Sequence, residues 1–314
     1  MNKAASIPQL LPDVVEAPPL SLRALAWRRF RRHKMAIFGF IVLIVMVLYA
    51  FVPAFFVPES YANYNDTRLR LDAPSLAHPF GTDTIGRDIL ARTIYGGQIS
   101  IIIGITAALL EVLVGILVGA LAGYYGGFLD AILMRFTEAM LNIPQIFLLI
   151  VMAKFFSTGV PNLTILGRTF SGSVVVIVLI IGLTSWPYLA RIVRAEFLSL
   201  KEHEFVLAAR ATGTPAPQII FGHILPNCIA PIVVTATLGV ANAITLEAYI
   251  SFLGLGVRPP TATWGNMLEG AYSYIETAYW LWLFPGLLIV LIVLSINFLG
   301  DGLRDALDPR SRTI

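Results

Sequence analysis

The sequence predicts an all-α integral membrane protein with six transmembrane helices. Three observations lead there. Of 314 residues, 57% are hydrophobic and only 13% charged, whereas soluble domains carry about 25% charged residues. Apolar runs recur at spanning length, the first being Met35–Pro58 with 24 residues and no charge; about 20 suffice to cross a bilayer. The period-2 alternation of a membrane β-barrel is absent. Backbone groups in hydrocarbon must be satisfied within their own segment, so each run reads as a helix.

The first 20 residues, with Pro8, Pro12, Pro18 and Pro19, read as a tail. Next comes a basic run of Arg23, Arg28, Arg29, Arg31, Arg32 and Lys34, joined by His33 and free of acids. Such a run suits a nucleic-acid arm in other settings. Here it abuts an apolar span, which favours a cytoplasmic topology anchor facing anionic headgroups and no nucleic acid. Span one, 35–57, is longer than the roughly 7–15-residue core of a signal peptide and reads as a retained helix. Span two lies near 98–122, interrupted by Glu111, and span three at about 130–156, carrying Arg135, Glu138 and Lys154. Spans four, five and six fall at 172–190, 224–250 and 279–300.

Six spans place both termini on one side, which the basic run makes cytoplasmic. The 191–223 loop with Arg191, Arg194, Lys201 and Arg210 falls there, as do Arg304, Arg310 and Arg312. The outer loop runs against the trend, with Arg68, Arg70, Arg87 and Arg92 set among acids. The expected organisation is a tail at 1–34, a first helix and outer loop at 35–95, a five-helix domain at 96–305 and a tail at 306–314. No internal repeat of the kind found in many secondary transporters is evident.

No residues suggest an engine. The chain lacks G-x-x-x-x-G-K-[ST], so it is not expected to bind or hydrolyse ATP itself, and H-E-x-x-H and G-x-S-x-G are also missing. Cys228 is the single cysteine, in an apolar stretch, and no Cys/His cluster has metal-site spacing. Neither a catalytic nor a metal site is expected. Gly115, Gly119 and Gly123, four apart, share one helix face and read as a close helix-packing surface. Glu111, Glu138 and Glu247 stand in apolar surroundings, where an ionised carboxylate is costly. For Glu111 and Glu138 one reading is a polar patch on a translocation path. The other is a tie to a neighbouring group, such as Arg135 for Glu138, and Glu247 fits this second reading better.

The 191–226 segment is the most informative. Residues 196–205 mix charge with Phe197, Leu198, Leu200 and Phe205, as an amphipathic surface helix would. Ala208, Ala209 and Ala211 are small enough for another surface to approach, Gly213 permits a C-terminal turn, and Pro215 and Pro217 end the helix. A short helix between two spans is a lever that a partner can push.

That segment resembles the cytoplasmic coupling loop of ABC importer permeases, whose pattern is Glu-Ala-Ala, three residues, Gly, nine residues, Ile-x-Leu-Pro. Ala208, Ala209, Gly213, Leu225 and Pro226 fit it, while Leu207 replaces the Glu and His223 the first Ile. Glu204, one turn earlier, offers a substitute carboxylate. Residues 78–100, 123–144, 251–268 and 298–310 each resemble the C-type permeases of dipeptide, oligopeptide and nickel importers, so the resemblance covers most of the chain beyond residue 23. It implies a type I ABC importer permease fold in the bacterial inner membrane.

The resemblance further implies a B-type permease partner, two ATPases that bind ATP-Mg, and an extracytoplasmic solute-binding protein. A coupling helix near 200–214, with Glu204, Ala208, Ala209, Arg210, Gly213 and Pro226, would dock on one ATPase. Short peptides are the implied solute, with nickel, glutathione or another small solute as the alternative on the same scaffold. An ion-coupled carrier or channel using Glu111 and Glu138 is the reading from a different class. Segments 58–95 and 251–278 would meet the binding protein, with Trp264, Tyr272 and Tyr274 either contacting it or forming an interfacial aromatic belt.

Overall fold

Apolar runs become helices in this computed structural model, which describes residues 22–156, 160–165 and 168–307. The proline-rich tail and the closing Arg310 and Arg312 lie outside the described residues. Helix α1 (Leu22–Phe30) packs on the C-terminal helix. His33 then caps α2 (Lys34–Phe51), its Nδ1 accepting from Ala36 N at 3.0 Å. After a turn at Pro53–Phe55 and the short α3 (Glu59–Ala62), the chain enters α4 (Ile89–Tyr125) of 37 residues. At 1.5 Å per residue it is about 55 Å long and outreaches a hydrocarbon core of about 30 Å.

Helices α5 (Gly127–Asn142) and α6 (Gln145–Phe156) meet at an angle of 89°. A hairpin, β1 (Leu163–Ile165) with β2 (Arg168–Phe170), leads to α7 (Gly172–Leu200). Two short helices follow, α8 (Glu204–Ala211) and α9 (Ala216–Gln218). An irregular helical stretch over Ile219–Cys228 opens into α10 (Ile229–Phe252), and α11 (Trp280–Leu307) closes the described chain.

Five helices are long and apolar enough to cross a membrane, and the bent α5–α6 pair makes a sixth span if counted as one. The third span is therefore broken rather than continuous over 130–156. Pro144 has no N–H to donate, and it pushes Ile143 into extended backbone (φ −82°, ψ 123°), so the helix stops there. Three other boundaries differ from expectation. The division at 95/96 falls inside α4, because Asp88 caps that helix on Ala91 N at 2.7 Å and Arg92 hides its charge against Asn63 Oδ1 at 3.2 Å. In span five the regular α-helix starts at Ile229 rather than 224, after Pro226 interrupts regular hydrogen bonding, while the helical element of spanning length runs over Ala216–Phe252. The short surface helix covers 204–211 rather than 200–214, because a turn at Lys201–His203 separates it from α7.

Helix α4 is central, packing most extensively on α7 and next on α10, while α11 pairs with α2 and α10. Gly115, Gly119 and Gly123 all face α7. A Cβ on Gly119 would sit 2.5 Å from the Ala190 carbonyl, and one on Gly123 2.5 Å from Phe197 Cβ. Any side chain at these positions would push the two helices apart.

One end of the bundle is closed by the 63–88 and 253–280 segments. Buried Thr82 takes Asp72 N on its hydroxyl, donates to the Leu69 carbonyl, and offers its own carbonyl to Trp280 Nε1 at 3.0 Å. Glu247, fully buried in α10, accepts from Ser251 Oγ at 2.7 Å and Ser100 Oγ at 3.2 Å. Those hydroxyls in turn accept from Val257 N and Trp264 N, so a single carboxylate organises the loop. Trp264, expected at the surface, is instead 0% exposed, its Nε1 donating to the Thr93 carbonyl at 2.8 Å. Glycine at 97 makes the room, since a Cβ there would lie 2.6 Å from the indole. Tyr272 is exposed and Tyr274 half-buried.

Candidate functional site

The opposite end carries α8. Its inner face is Val206 and Ala209, three residues apart, packed with Phe197, Ile219, Ile220 and Ile224. Its outer face presents Glu204, Phe205, Leu207, Ala208 and Arg210. The two alanines thus part company. Ala209 is 8% exposed against the chain's own core, and Ala208 alone of the pair offers a small surface to a partner. Glu204 opens the helix, where a carboxylate complements the N-terminal dipole.

A Schellman turn ends α8. Thr214 N donates to the Ala209 carbonyl and Gly213 N to the Arg210 carbonyl, both at 3.0 Å, with Gly213 at φ +79°. No atom lies within 4 Å of where a Gly213 Cβ would be. Glycine is required there by backbone conformation, not by crowding within this chain. Pro226 is exposed in the turn that leads into α10, just after buried Ile224.

Three further contacts tie α8 and the end of α7 to the bundle. The Arg210 guanidinium lies 5.3 Å from the centre of the Tyr124 ring on α4, a cation–π contact of about 0.5–1 kcal/mol at an exposed site. Lys201 Nζ donates to the Gly123 carbonyl at 3.2 Å, near the C-terminus of α4. Arg194 on α7 grips Asp130 on α5 through two hydrogen bonds of 2.5 and 2.7 Å. Sequence reasoning named Arg194 and Arg210 but missed Asp130 and Tyr124, to which they bind. Asp130 and Arg194 stand 64 residues apart, so no local spacing pairs them. Through these contacts α8 and the end of α7 are joined to α4 and α5.

Beside this end opens a cleft of about 780 Å³ between α4, α5, α7, α10 and α11. Glu196 and Arg304 line the part near α8, and Glu111, Gln145, Thr184, Ser185 and Asn242 line it further along. Gln145 Nε2 donates to Ser185 Oγ at 2.9 Å, pinning the broken span to α7. Glu111 is 6% exposed and its carboxylate lies against Gly239, where a Cβ would come within 2.9 Å of Oε2. Glu138 is elsewhere. It pairs with Arg135 at 3.2 Å on the exposed face of α5 and lines a separate depression. The structure does not bring Glu111 and Glu138 into one site. No group of His, Cys, Asp and Glu suited to a metal occurs among the described residues.

Comparison with known proteins follows from this geometry. Residues 115–313 match the family described as binding-protein-dependent transport system inner membrane component. Residues 21–74 match the N-terminal transmembrane domain of oligopeptide transport permease C. A putative peptide permease of Brucella suis is 43% identical over 285 residues, 90% of this chain and 89% of its own length. The dipeptide transport system permease protein of Alkalihalophilus pseudofirmus is 38% identical over 92% of this chain and 90% of its own. The oligopeptide transport system permease protein of Haemophilus influenzae is 39% identical over 99% and 97%. Among solved structures, an inward-facing MetNI methionine ABC transporter chain superposes with a TM-score of 0.53 at 20% identity. It covers 70% of this chain and 98% of that one. At that identity the likeness concerns fold alone.

Proposed function

The chain belongs to the family of binding-protein-dependent transport system inner membrane components, and on that premise we propose that it forms half of a path for short peptides across the membrane. It is a multi-pass membrane permease with the helical fold of an ABC-transporter permease. The other half of the path comes from a B-type permease, delivery from a solute-binding protein, and energy from two ATPases that hold ATP-Mg. Both termini and α8 face the cytoplasm. In support, Arg28 and Arg29 end α1, which packs on α11, and Arg304 of α11 lines the cleft beside Lys201 and Arg210.

The observation that carries the proposal is the two-faced α8. Its inner residues join the core of α7 and the start of α10, while its outer residues await a groove. Docked on an ATPase through Phe205, Leu207, Ala208 and the Gly213 turn, with Glu204 and Arg210 as polar contacts, α8 moves when the ATPases close. The rigid ties through Arg194, Lys201 and Arg210 carry that movement into α4, α5 and α7. Leu207, where the family pattern has Glu, makes the outer face more apolar. Glu111 lines the cleft and hence the path, whereas Glu138 stays on the surface of α5. The relatives named above as peptide permeases support the solute assignment.

The test is to purify the assembled complex with its binding protein and identify the bound solute by mass spectrometry, alongside ATP-driven uptake in liposomes. Peptide in the complex and peptide uptake are expected. Nickel or glutathione in its place reassigns the solute. Transport by this chain alone, without nucleotide, overturns the importer reading in favour of a carrier.

A further inference from the structure

The two buried carboxylates of the membrane region are treated differently by the fold. Glu247 is sealed and held by hydroxyls. Glu111 is 94% buried, since its exposure is 6%, yet no described residue holds its carboxylate through a hydrogen bond or ion pair. Among the described residues no side-chain oxygen or nitrogen is both sealed from solvent and unbonded. The Glu111 oxygens therefore open into the cleft that they line. Glu111 stands 14 residues before the end of α4 at Tyr125, about 21 Å along the helix at 1.5 Å per residue. That is deep within the membrane.

A carboxylate in such a place is costly unless a cation or a proton joins it. The neighbouring lining is neutral and mostly apolar, with a few groups that can meet amides: Gln145, Ser185, Asn242, and Thr184 as an acceptor, since its hydroxyl donates to the Ile180 carbonyl at 2.8 Å. The charged Glu196 and Arg304 line the part near α8. We infer that Glu111 is the specificity-determining contact for the cationic end of the solute, the free α-ammonium of a short peptide, while the neutral groups meet its peptide bonds. An ammonium–carboxylate contact is charge-assisted and strengthens where water is scarce. It favours peptides with an uncapped amino end over acylated or anionic ones. This inference rests on the permease reading above and adds to it what the cleft selects.

The test uses the assembled importer, nucleotide-free and without binding protein, dialysed to equilibrium against trialanine or N-acetyltrialanine. The two differ by the α-ammonium that acetylation removes. The wild-type complex is expected to hold trialanine about tenfold more tightly. Glu111→Gln is expected to abolish that preference by weakening trialanine alone, with unchanged acetylpeptide binding reporting an intact cleft. Glu111→Asp, one methylene shorter, is expected to keep a reduced preference and serves where the amide variant fails to assemble. Equal binding of the two peptides by wild type overturns the inference, as does a preference that survives unreduced in the variants. ATP-driven trialanine uptake with binding protein present separates the two levels. Uptake without a Glu111 effect sinks this inference alone, while absence of any peptide uptake sinks the permease reading beneath it.

Discussion

The two ends of the bundle are built on opposite terms. The loop end is tied together from within: Thr82, Glu247, Trp264 and Trp280 are buried and bonded to backbone or hydroxyl partners, while Leu76, Tyr272 and Ile275 stay exposed around them. The α8 end keeps polar ties to the bundle but leaves Phe205, Leu207 and Ala208 facing outward and a cleft open beside it. A region tied together from within holds a shape. An apolar face on a short helix outside the spans, with a cleft beside it, suits a partner's surface. The difference implies that stability is concentrated at the loop end and, on the coupling role proposed for α8, that the α8 end is where a partner acts.

Substitutions can break that comparison, and the largest stability effect is expected deep in the loop end. Trp264→Ala should cost about 3–5 kcal/mol from lost packing and the unmade bond to the Thr93 carbonyl, read as a large drop in Tm of the purified complex. Glu247→Ala should cost about 2–3 kcal/mol by leaving the Ser100 and Ser251 hydroxyls unpaired, on the same readout. A wild-type Tm in either variant would show that the loop end is not where stability resides. Asp130→Ala, at the α8 end, removes a bidentate but partly exposed pair and should cost about 1 kcal/mol. Uptake should fall by more than that small loss of stability accounts for, because α5 is freed from α7. Leu207→Glu should change stability by less than about 0.5 kcal/mol, the usual size for an exposed site. It restores the family's Glu, so ATP-driven uptake at wild-type rate or better is expected. Ala208→Trp at the neighbouring exposed position should leave Tm unchanged and abolish uptake. Retained uptake in Ala208→Trp would remove α8 from the docking surface.

Much of the fold was legible because lipid imposes a simple rule on sequence. Uncharged runs of 20 or more residues stand out wherever they fall, and all six expected spans correspond to helices or to the bent pair. Average apolarity conceals breaks, however. The run from 130 to 156 looked continuous although Pro144 and the residue before it already contained the reason for an 89° bend. Charge conceals continuity in the same way. Arg92 marked the start of α4 as loop-like until Asn63, 29 residues earlier, was found to accept its hydrogen bond. The short helix after α7 was legible from its alanines, glycine and prolines. Its division into an inner Ala209 and an outer Ala208 depends on Phe197, Ile219 and Ile220, which only folding brings together.

Composition and pattern alone determined that this chain lives in a bilayer, that its spans are helical, and that a small-residue helix interrupts them near 200–214, which folding narrows to 204–211. These are local properties, set by solvent and by spacing along the chain. Which carboxylate supports the fold and which faces the path was decided by tertiary structure. Glu111 and Glu247 sit in similarly apolar sequence, and the one local difference, a serine four residues after Glu247, does not by itself settle their roles. The hydroxyl of Ser100 that helps seal Glu247 comes from 147 residues away, and no equivalent donor reaches Glu111 among the described residues.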